Sequence, residues 1–444
     1  MFFKQFYNQH LSQASYLVGC QRTGEAIVID PIRDISEYIE VAEAEGLSIT
    51  HAAETHIHAD FASGIRDIAY KLNSKLFVSG EGDNTLGYRN MPEGTTFVKH
   101  RDKIKVGHVE LQVLHTPGHT PESISFLLTD IGGGSDTPMG LFTGDFVFVG
   151  DVGRPDLLEK AVHVEGSTEL GAKQMFASIQ SVKDLPDYIQ IWPGHGAGSP
   201  CGKSLGAVPM STLGYEKHNN WAFKQANEAL FVEELTSNQP APPHHFAQMK
   251  QINQFGHDHY TPYTVYPSLD RSRRAFDIRT KEAYHGGHAK GTVNISFDKN
   301  FINQIGWYLN YEEEIDLIGD VADIEKARHV LQLIGYNLVA GYRKPQSDIV
   351  TESIHSADLT GDEENILDVR NNEEWNRGHL SQAVHIPHGK LAITDVPFDY
   401  DDKIYVHCQS GVRSSIAIGL LEEKGYTHVV NVKEGYKDMK EALK

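Results

Sequence analysis

Apolar residues fall into short runs that stop at Gly- or Pro-containing turns, and the first half of the chain repeats this pattern many times. Leu47 to Thr55 is apolar and then polar, Val109 to Leu114 alternates, and Met139 to Phe142 and Tyr188 to Trp192 are brief apolar segments. Their shortness and near-twofold period predict strands. Ser15 to Asp30 reads as two strands around a turn at Gly19 to Gly24, closing with Val28-Ile29-Asp30-Pro31. Ile35 to Glu45 changes to helical periodicity and stops at Gly46, a usual helix terminator. Gly132-Gly133-Gly134-Ser135-Asp136 lacks the Lys-Ser/Thr of a phosphate loop and reads as a hairpin connection. Tyr215 to Leu235 carries a polar helical pattern, and Pro240-Ala241-Pro242-Pro243 then predicts a lid edge or interdomain link. His244, His245, His257 and His259 are expected there on a polar surface.

The strand ends carry the chemistry. Leu47 to Thr55 delivers Thr55-His56-Ile57-His58-Ala59-Asp60-Phe61, and alternation along an extended segment turns its imidazoles and carboxylate partly the same way. The other apolar runs lead to Thr116-Pro117-Gly118-His119-Thr120, Phe142-Thr143-Gly144-Asp145 and Trp192-Pro193-Gly194-His195-Gly196. One His or Asp in a turn after each strand, in this order, is a metal-site signature.

His-x-His-x-Asp, then Pro-Gly-His, Thr-Gly-Asp and Pro-Gly-His-Gly, resembles the metallo-β-lactamase superfamily on its glyoxalase II side. The resemblance implies an αββα sandwich, two sheets with helices outside. The family pattern has a second His directly after the Asp, which helps hold a second metal, and here that position is Phe61. Only Asp60 and His195 then remain as second-site candidates, joined at most by a bridging Asp145. The resemblance therefore implies a mononuclear site on His56, His119 and Asp145. Two imidazoles and one carboxylate form the facial set associated with non-haem Fe(II) and dioxygen, so one Fe(II) per chain is expected. His58 is expected to hydrogen-bond behind the ligands. Asp145 to Leu157 is similar to persulfide dioxygenases of this superfamily, and Arg154 within it is a candidate anion-binding group for substrate. Cys201, six residues after His195, is a candidate for handling sulfane sulfur, with Lys203 placed to lower its pKa. Cys20 is expected to be a bystander.

Composition narrows the partners. The 40 Lys and Arg against 60 Asp and Glu give 444 residues a net charge of −20, which disfavours nucleic acid. Three widely spaced cysteines suggest neither a disulfide framework nor a zinc finger. With no apolar run long enough to cross a membrane and no signal-like N-terminus, a soluble cytoplasmic chain without a membrane partner is expected.

The second half repeats itself. Asp277-Ile278-Arg279, Glu282, Tyr284, Gly287-His288 and Ile295 recur as Asp368-Val369-Arg370, Glu373, Trp375, Gly378-His379 and Ile386, one offset of 91 positions (368 − 277). The pattern resembles rhodanese-like sulfurtransferase domains, in which the Asp and Arg are expected to fix a loop through a charge-assisted pair. Only the second copy has a cysteine. Tyr405-Val406-His407 leads to Cys408-Gln409-Ser410-Gly411-Val412-Arg413 before the helical pattern Ser414 to Glu423. Loop amides, the helix N-terminus and Arg413 are expected to stabilise a Cys408 thiolate or persulfide, and Gln409, Ser410, Gly411 and Val412 to bind substrate. Cys-x4-Arg is the short rhodanese-type loop, whereas related phosphatases use Cys-x5-Arg. The first copy has Glu314 to Val321 there and no thiol, so it reads as catalytically silent.

The expected organisation is an α/β multidomain chain: a metallo-β-lactamase-fold domain over 1–245, a cysteine-free rhodanese-like repeat over 255–350 and an active one over 355–444. Together the resemblances imply a bifunctional persulfide dioxygenase–sulfurtransferase. Its partners would be a small-molecule persulfide, O2, sulfite and thiosulfate, and a homo-oligomer is expected. A glyoxalase II-like thioester hydrolase is the alternative; a phosphatase fusion and a non-enzymatic sulfide-responsive protein are weaker rivals.

Overall fold

The computed structural model describes residues 1–82, 85–162, 164–203, 205–359 and 363–442. The chain divides into two compact units, Met1–Thr261 with Gln332–Gly335, and Pro262–Leu331 with Tyr336–Lys444. The first unit thus continues past the expected boundary at 245 and includes the helix His245–Phe255.

Unit 1 holds two six-stranded sheets. The first runs in sequence order through β1 (Phe2–Asn8), β2 (Gln13–Cys20), β3 (Glu25–Ile29), β4 (Ser48–Ala53), β5 (Lys75–Ser79) and β6 (Thr96–Val98). The second contains β7 (Lys103–Val106), β8 (Val109–His115), β9 (Ile124–Asp130), β10 (Gly140–Gly144), β11 (Gln190–Pro193) and β12 (Ser211–Thr212), also in order. Alternation decides which core each residue enters. On β2, Tyr16 and Val18 join Phe126, Phe142 and Trp192 between the sheets, while Leu17 faces the helix side with Tyr38 and Ile68. The second sheet buries its outer face under Ala172, Met175, Ile179 and Val182, a helical stripe on Ser167–Val182. These layers are the expected αββα sandwich. Among the described residues no helix is long and apolar enough to cross a membrane.

The polar pattern from Tyr215 to Leu235 forms three helices, Leu213–Asn219, Trp221–Lys224 and Glu228–Thr236. Asn220 and Asn227 break it because their side chains accept the Ala222 and Leu230 N–H groups, which starts a new helix at each. His245 also departs from expectation, being buried beside Phe246 instead of lying on a polar surface.

Unit 2 contains two five-stranded parallel sheets of one topology. The first orders β13 (Tyr266–Pro267), β14 (Arg274–Asp277), β15 (Val293–Asn294), β16 (Ile315–Ile318) and β17 (Val339–Arg343) as β13-β17-β16-β14-β15. The second orders β18 (Glu352–Ile354), β19 (Ile366–Asp368), β20 (Ala383–His385), β21 (Lys403–His407) and β22 (His428–Val432) as β18-β22-β21-β19-β20. The copies differ after the central strand. Residues 319–320 alone separate β16 from the helix Val321–Leu333, whereas 408–411 separate β21 from Val412–Glu423. The first copy therefore lacks the loop as well as the cysteine.

Candidate functional site

Loops leaving β3, β4, β8, β10 and β11 converge on one buried cluster. Asp30, next after β3, organises it: its carboxylate accepts from the Thr55 N–H at 2.7 Å and from Thr55 Oγ1 at 2.9 Å, and lies 3.2 Å from His58 Nε2. Since the Thr55 hydroxyl proton goes to Asp30, Thr55 Oγ1 accepts from His56 Nδ1 at 3.0 Å, which leaves His56 Nε2 as the lone-pair nitrogen. His119 is fixed the same way, with Nδ1 donating to the Arg154 carbonyl at 2.9 Å. Gly118 lets the Pro-Gly-His turn approach the neighbouring helix: it has φ +146°, and a Cβ there would sit 2.6 Å from Met175.

His56, His119 and Asp145 are buried, and one ligand atom from each lies within 4.8 Å of the others. Asp145 Oδ2 is 3.5 Å from His119 Nε2 and 3.9 Å from His56 Nε2. Donors bound to one ion at about 2.1 Å stand roughly 3.0 to 3.4 Å apart, so slight closure suffices. Asp145 Oδ2 and His56 Nε2 are buried without a hydrogen-bond partner. Each such orphan costs about 1 to 3 kcal/mol unless something takes its lone pair, and the residues present fit a cation. Burial, followed by the neighbouring His58, keeps His56 well below the usual imidazole range, and burial lowers His119 as well, so both are neutral.

His195 is strapped between two carboxylates, with Nδ1 2.7 Å from Asp145 Oδ1 and Nε2 2.6 Å from Asp60 Oδ2. Burial opposes its charge, but Asp145 and Asp60 outweigh burial and hold His195 well above the usual imidazole range. Burial likewise opposes the Asp145 carboxylate, and His195, His119 and His56 outweigh it, keeping the carboxyl below its usual range. Asp145 thus turns Oδ2 toward the two imidazoles and gives Oδ1 to His195. Phe61 lies against His58, ring centroids 4.4 Å apart.

Cys201 is buried here, its sulfur grouped within 4.8 Å of donor atoms on Asp60 and His195. The expected activation by Lys203 does not hold. Lys203 Nζ donates to the Glu234 carbonyl at 2.5 Å, while burial first, and then Asp145 and Asp60, push the Cys201 thiol well above its usual pKa. Arg154 also corrects the sequence reading. Its guanidinium binds Asp156 through Nε and Nη2 at 2.7 Å each and also donates to the Pro200 and Pro240 carbonyls, so no fork is left for an anion. Arg154 instead ties three loops together and presents its carbonyl to His119.

Sequence reading did not find the support beneath this loop. Lys250 Nζ binds Glu122 at 2.9 Å and the Ile57 carbonyl at 3.1 Å, and Glu122 also accepts the Ile57 N–H at 3.1 Å. Asn253, on the same helix, donates to the His58 and Phe61 carbonyls. Asp30 had a legible signal, an acid ending a strand; Lys250, Glu122 and Asn253 had none. Lys250→Met is expected to cost about 3 kcal/mol by leaving the Glu122 carboxylate buried and unpaired. Denaturant unfolding of the variant measures it, and an unchanged midpoint would deny the pair its role.

At the second site Cys408 is fully buried, and the Gly411 N–H donates to its sulfur at 3.1 Å. Arg413 does not face an open anion: it forms a two-pronged pair with Glu374, one contact being Nη2 to Oε1 at 2.8 Å. The structural Asp-Arg pair occurs in both copies, Arg279 on Asp277 and Arg370 on Asp368 at 2.6 Å. Each arginine also donates to a glycine carbonyl, Gly287 or Gly378. Gln409 and Ser410 are exposed, Gly411 is buried, and Val412 begins the helix.

Residues 9–195 match the family model of the metallo-beta-lactamase superfamily, and residues 352–442 match that of the rhodanese-like domain. A solved metallo-beta-lactamase from Staphylococcus aureus subsp. aureus COL is 73% identical, covering 78% of this chain and 99% of that chain, with a TM-score of 0.76. The chain belongs to the metallo-beta-lactamase superfamily. This superfamily member is also similar to a hydroxyacylglutathione hydrolase from Rhodospirillum rubrum, 31% identical over 183 residues, 40% of this chain and 60% of the relative. It spans about 60% of the length of the curated relatives it matches. The structure of ETHE1 from Myxococcus xanthus is 26% identical, covering 56% of this chain and 100% of that chain, with a TM-score of 0.44.

Proposed function

We propose that unit 1 oxidises a low-molecular-weight persulfide with O2 to sulfite on one Fe(II), and that Cys408 transfers sulfane sulfur to give thiosulfate. The observation that carries the reading is the geometry of Asp145: Oδ2 faces His56 and His119 while Oδ1 is held by His195, itself tied to Asp60. Three donors then face one point, and Phe61 replaces a further ligand. This is a two-imidazole, one-carboxylate set with room for substrate.

When bound, ferrous iron supplies the redox chemistry toward O2 that no side chain here has. The chain's own work is positioning. Thr55 and Arg154 fix the two imidazole tautomers, and Asp30 keeps His58 turned aside. Ala59, Phe148, Leu157 and Phe246 pack with Cys201 and exclude water beside the site. Cys201 places a thiol beside the donors, where it would handle sulfane sulfur. At the second site, Cys408 thiolate attacks the outer sulfur of a persulfide, forming a Cys–S–S bond and expelling the thiolate of the carrier.

One observation favours the hydrolase. Asp60, His195 and Cys201 form a second group of close donors, and a cation there would give the paired site of a thioester hydrolase. Metal content of anaerobically purified protein, joined to O2 consumption with a small-molecule persulfide, separates the readings. One iron per chain with persulfide-dependent O2 uptake is expected; two metals with thioester hydrolysis and no O2 uptake would replace it.

A further inference from the structure

The cysteine-free repeat does not stand apart from the Cys408 loop. Lys281, the first residue of the helix Lys281–His285, donates from Nζ to the Ser410 carbonyl at 2.8 Å. A Cβ on Gly411 would lie 2.9 Å from the same nitrogen. Gly411 is the residue whose N–H meets the Cys408 sulfur. Lys281 thus bonds Ser410 and lies against the backbone of Gly411.

Charge at this place is unevenly used. Arg413 is neutralised by Glu374 and Arg370 by Asp368. Among the described residues the carboxylate paired with Lys281 is Glu282, at 3.9 Å and strongly exposed. Among the described residues Lys281 is therefore a cation next to the loop that no carboxylate holds closely, and a sulfur oxyanion carrying two negative charges would meet it there.

A cavity of about 570 Å³ opens beside it, lined from both repeats by Lys281, His285, Thr351, Ser410, Gly411 and Lys433, and also by the carboxylates Glu282, which is strongly exposed, and Glu434, which is turned to His355 and the Ser356 N–H. Thr351 is only 7% exposed, and its Oγ1 has no hydrogen-bond partner. Both ring nitrogens of His285 are also buried and unpartnered. Buried polar atoms left without partners around two ammonium groups suit a small polar anion better than an apolar ligand.

We propose that this junction cavity is the docking site of the acceptor oxyanion, sulfite, and that Lys281 of the cysteine-free repeat binds it beside Cys408. The proposal rests on the sulfurtransferase reading of Cys408. Sulfite donates its sulfur lone pair to the outer sulfur of the Cys408 persulfide and forms the S–S bond of thiosulfate. The bond from Cys408 Sγ to that sulfur breaks, its electron pair returns to Sγ as thiolate, and the persulfide proton leaves to solvent. No oxidant or reductant enters the step. The repeat that lost its own loop thereby keeps a binding role in its neighbour's reaction.

The test uses the full chain with Lys281→Gln and Lys281→Arg, and follows both half-reactions. Loading of Cys408 by persulfide is read as a mass gain of one sulfur, and unloading is followed at varied sulfite. For Lys281→Gln the sulfite concentration at half-maximal unloading is expected to rise about tenfold, the loss of one charge-assisted contact, with loading changed by less than about twofold. Lys281→Arg is expected to recover most of the affinity. An unchanged sulfite dependence, equal losses in both half-reactions, or an Arg variant no better than Gln would overturn the proposal. If Cys408→Ser still made thiosulfate, the underlying transferase reading would fail instead, a distinct outcome.

Discussion

His56→Ala is expected to empty the metal centre and lower persulfide-dependent O2 uptake about 1000-fold or more, while sulfur transfer by Cys408 stays within about twofold. Thr55 sets the geometry: its hydroxyl proton is committed to Asp30, and its oxygen therefore takes the His56 Nδ1 proton. His56 Nε2 is left facing Asp145 Oδ2, and neither atom has a hydrogen-bond partner. Alanine removes one of three donors, and the remaining pair, His119 and Asp145, offers no facial set. Iron per chain is the direct readout, with O2 uptake as the second. His58→Ala gives the contrast: its Nε2 faces Asp30, so it acts through the loop, and metal affinity should fall only about 10- to 100-fold. Retained iron and oxidation in His56→Ala, or equal losses in the two variants, would remove the ligand assignment.

The sequence displayed the donors because strand ends are marked twice, by an apolar run and by the turn residue that stops it. Thr-Pro-Gly-His and Thr-Gly-Asp are such endings, and the structure brings His56, His119 and Asp145 together as the order of motifs implies. The repeat in the second half was legible because one Asp-Arg pair and one Gly-His recur at a fixed offset, and both copies show the same pairing and strand order. Side-chain partners across long separations were not legible. Arg154 looked like an anion-binding group because its chain neighbours resemble a substrate loop, but Asp156, Pro200 and Pro240 consume its donors. Lys203 stood two residues from Cys201 in sequence, yet its ammonium goes to Glu234. Nothing local marks Lys250, which supports the Ile57 loop from a helix almost 200 positions later. Helix lengths failed for a local reason, since Asn220 and Asn227 suit a helical pattern by polarity and start helices by hydrogen bonding.

Cys408→Ser is expected to abolish thiosulfate formation, by about 10,000-fold or more, with iron content and O2 uptake unchanged. A serine hydroxyl is nearly isosteric, so the loop should keep its form, but an alkoxide is not accessible near neutral pH and oxygen does not form the sulfur–sulfur bond the transfer needs. The surroundings show what the thiol is set among: the Gly411 N–H at 3.1 Å, the start of the helix Val412–Glu423 and the guanidinium of Arg413. With Arg413 held by Glu374, its field at the sulfur is compensated by that carboxylate, so the loop amide and the helix terminus contribute more than the sequence implied. The variant therefore isolates the nucleophile from its setting. Glu374→Gln does the converse, freeing the Arg413 charge while Cys408 remains, and should speed alkylation of the protein at Cys408. The two effects have opposite signs on one sulfur. Should Cys408→Ser make thiosulfate at the parent rate, the sulfur would have to be carried by Cys201 beside the metal donors, and the rhodanese loop would lose its place in the reaction.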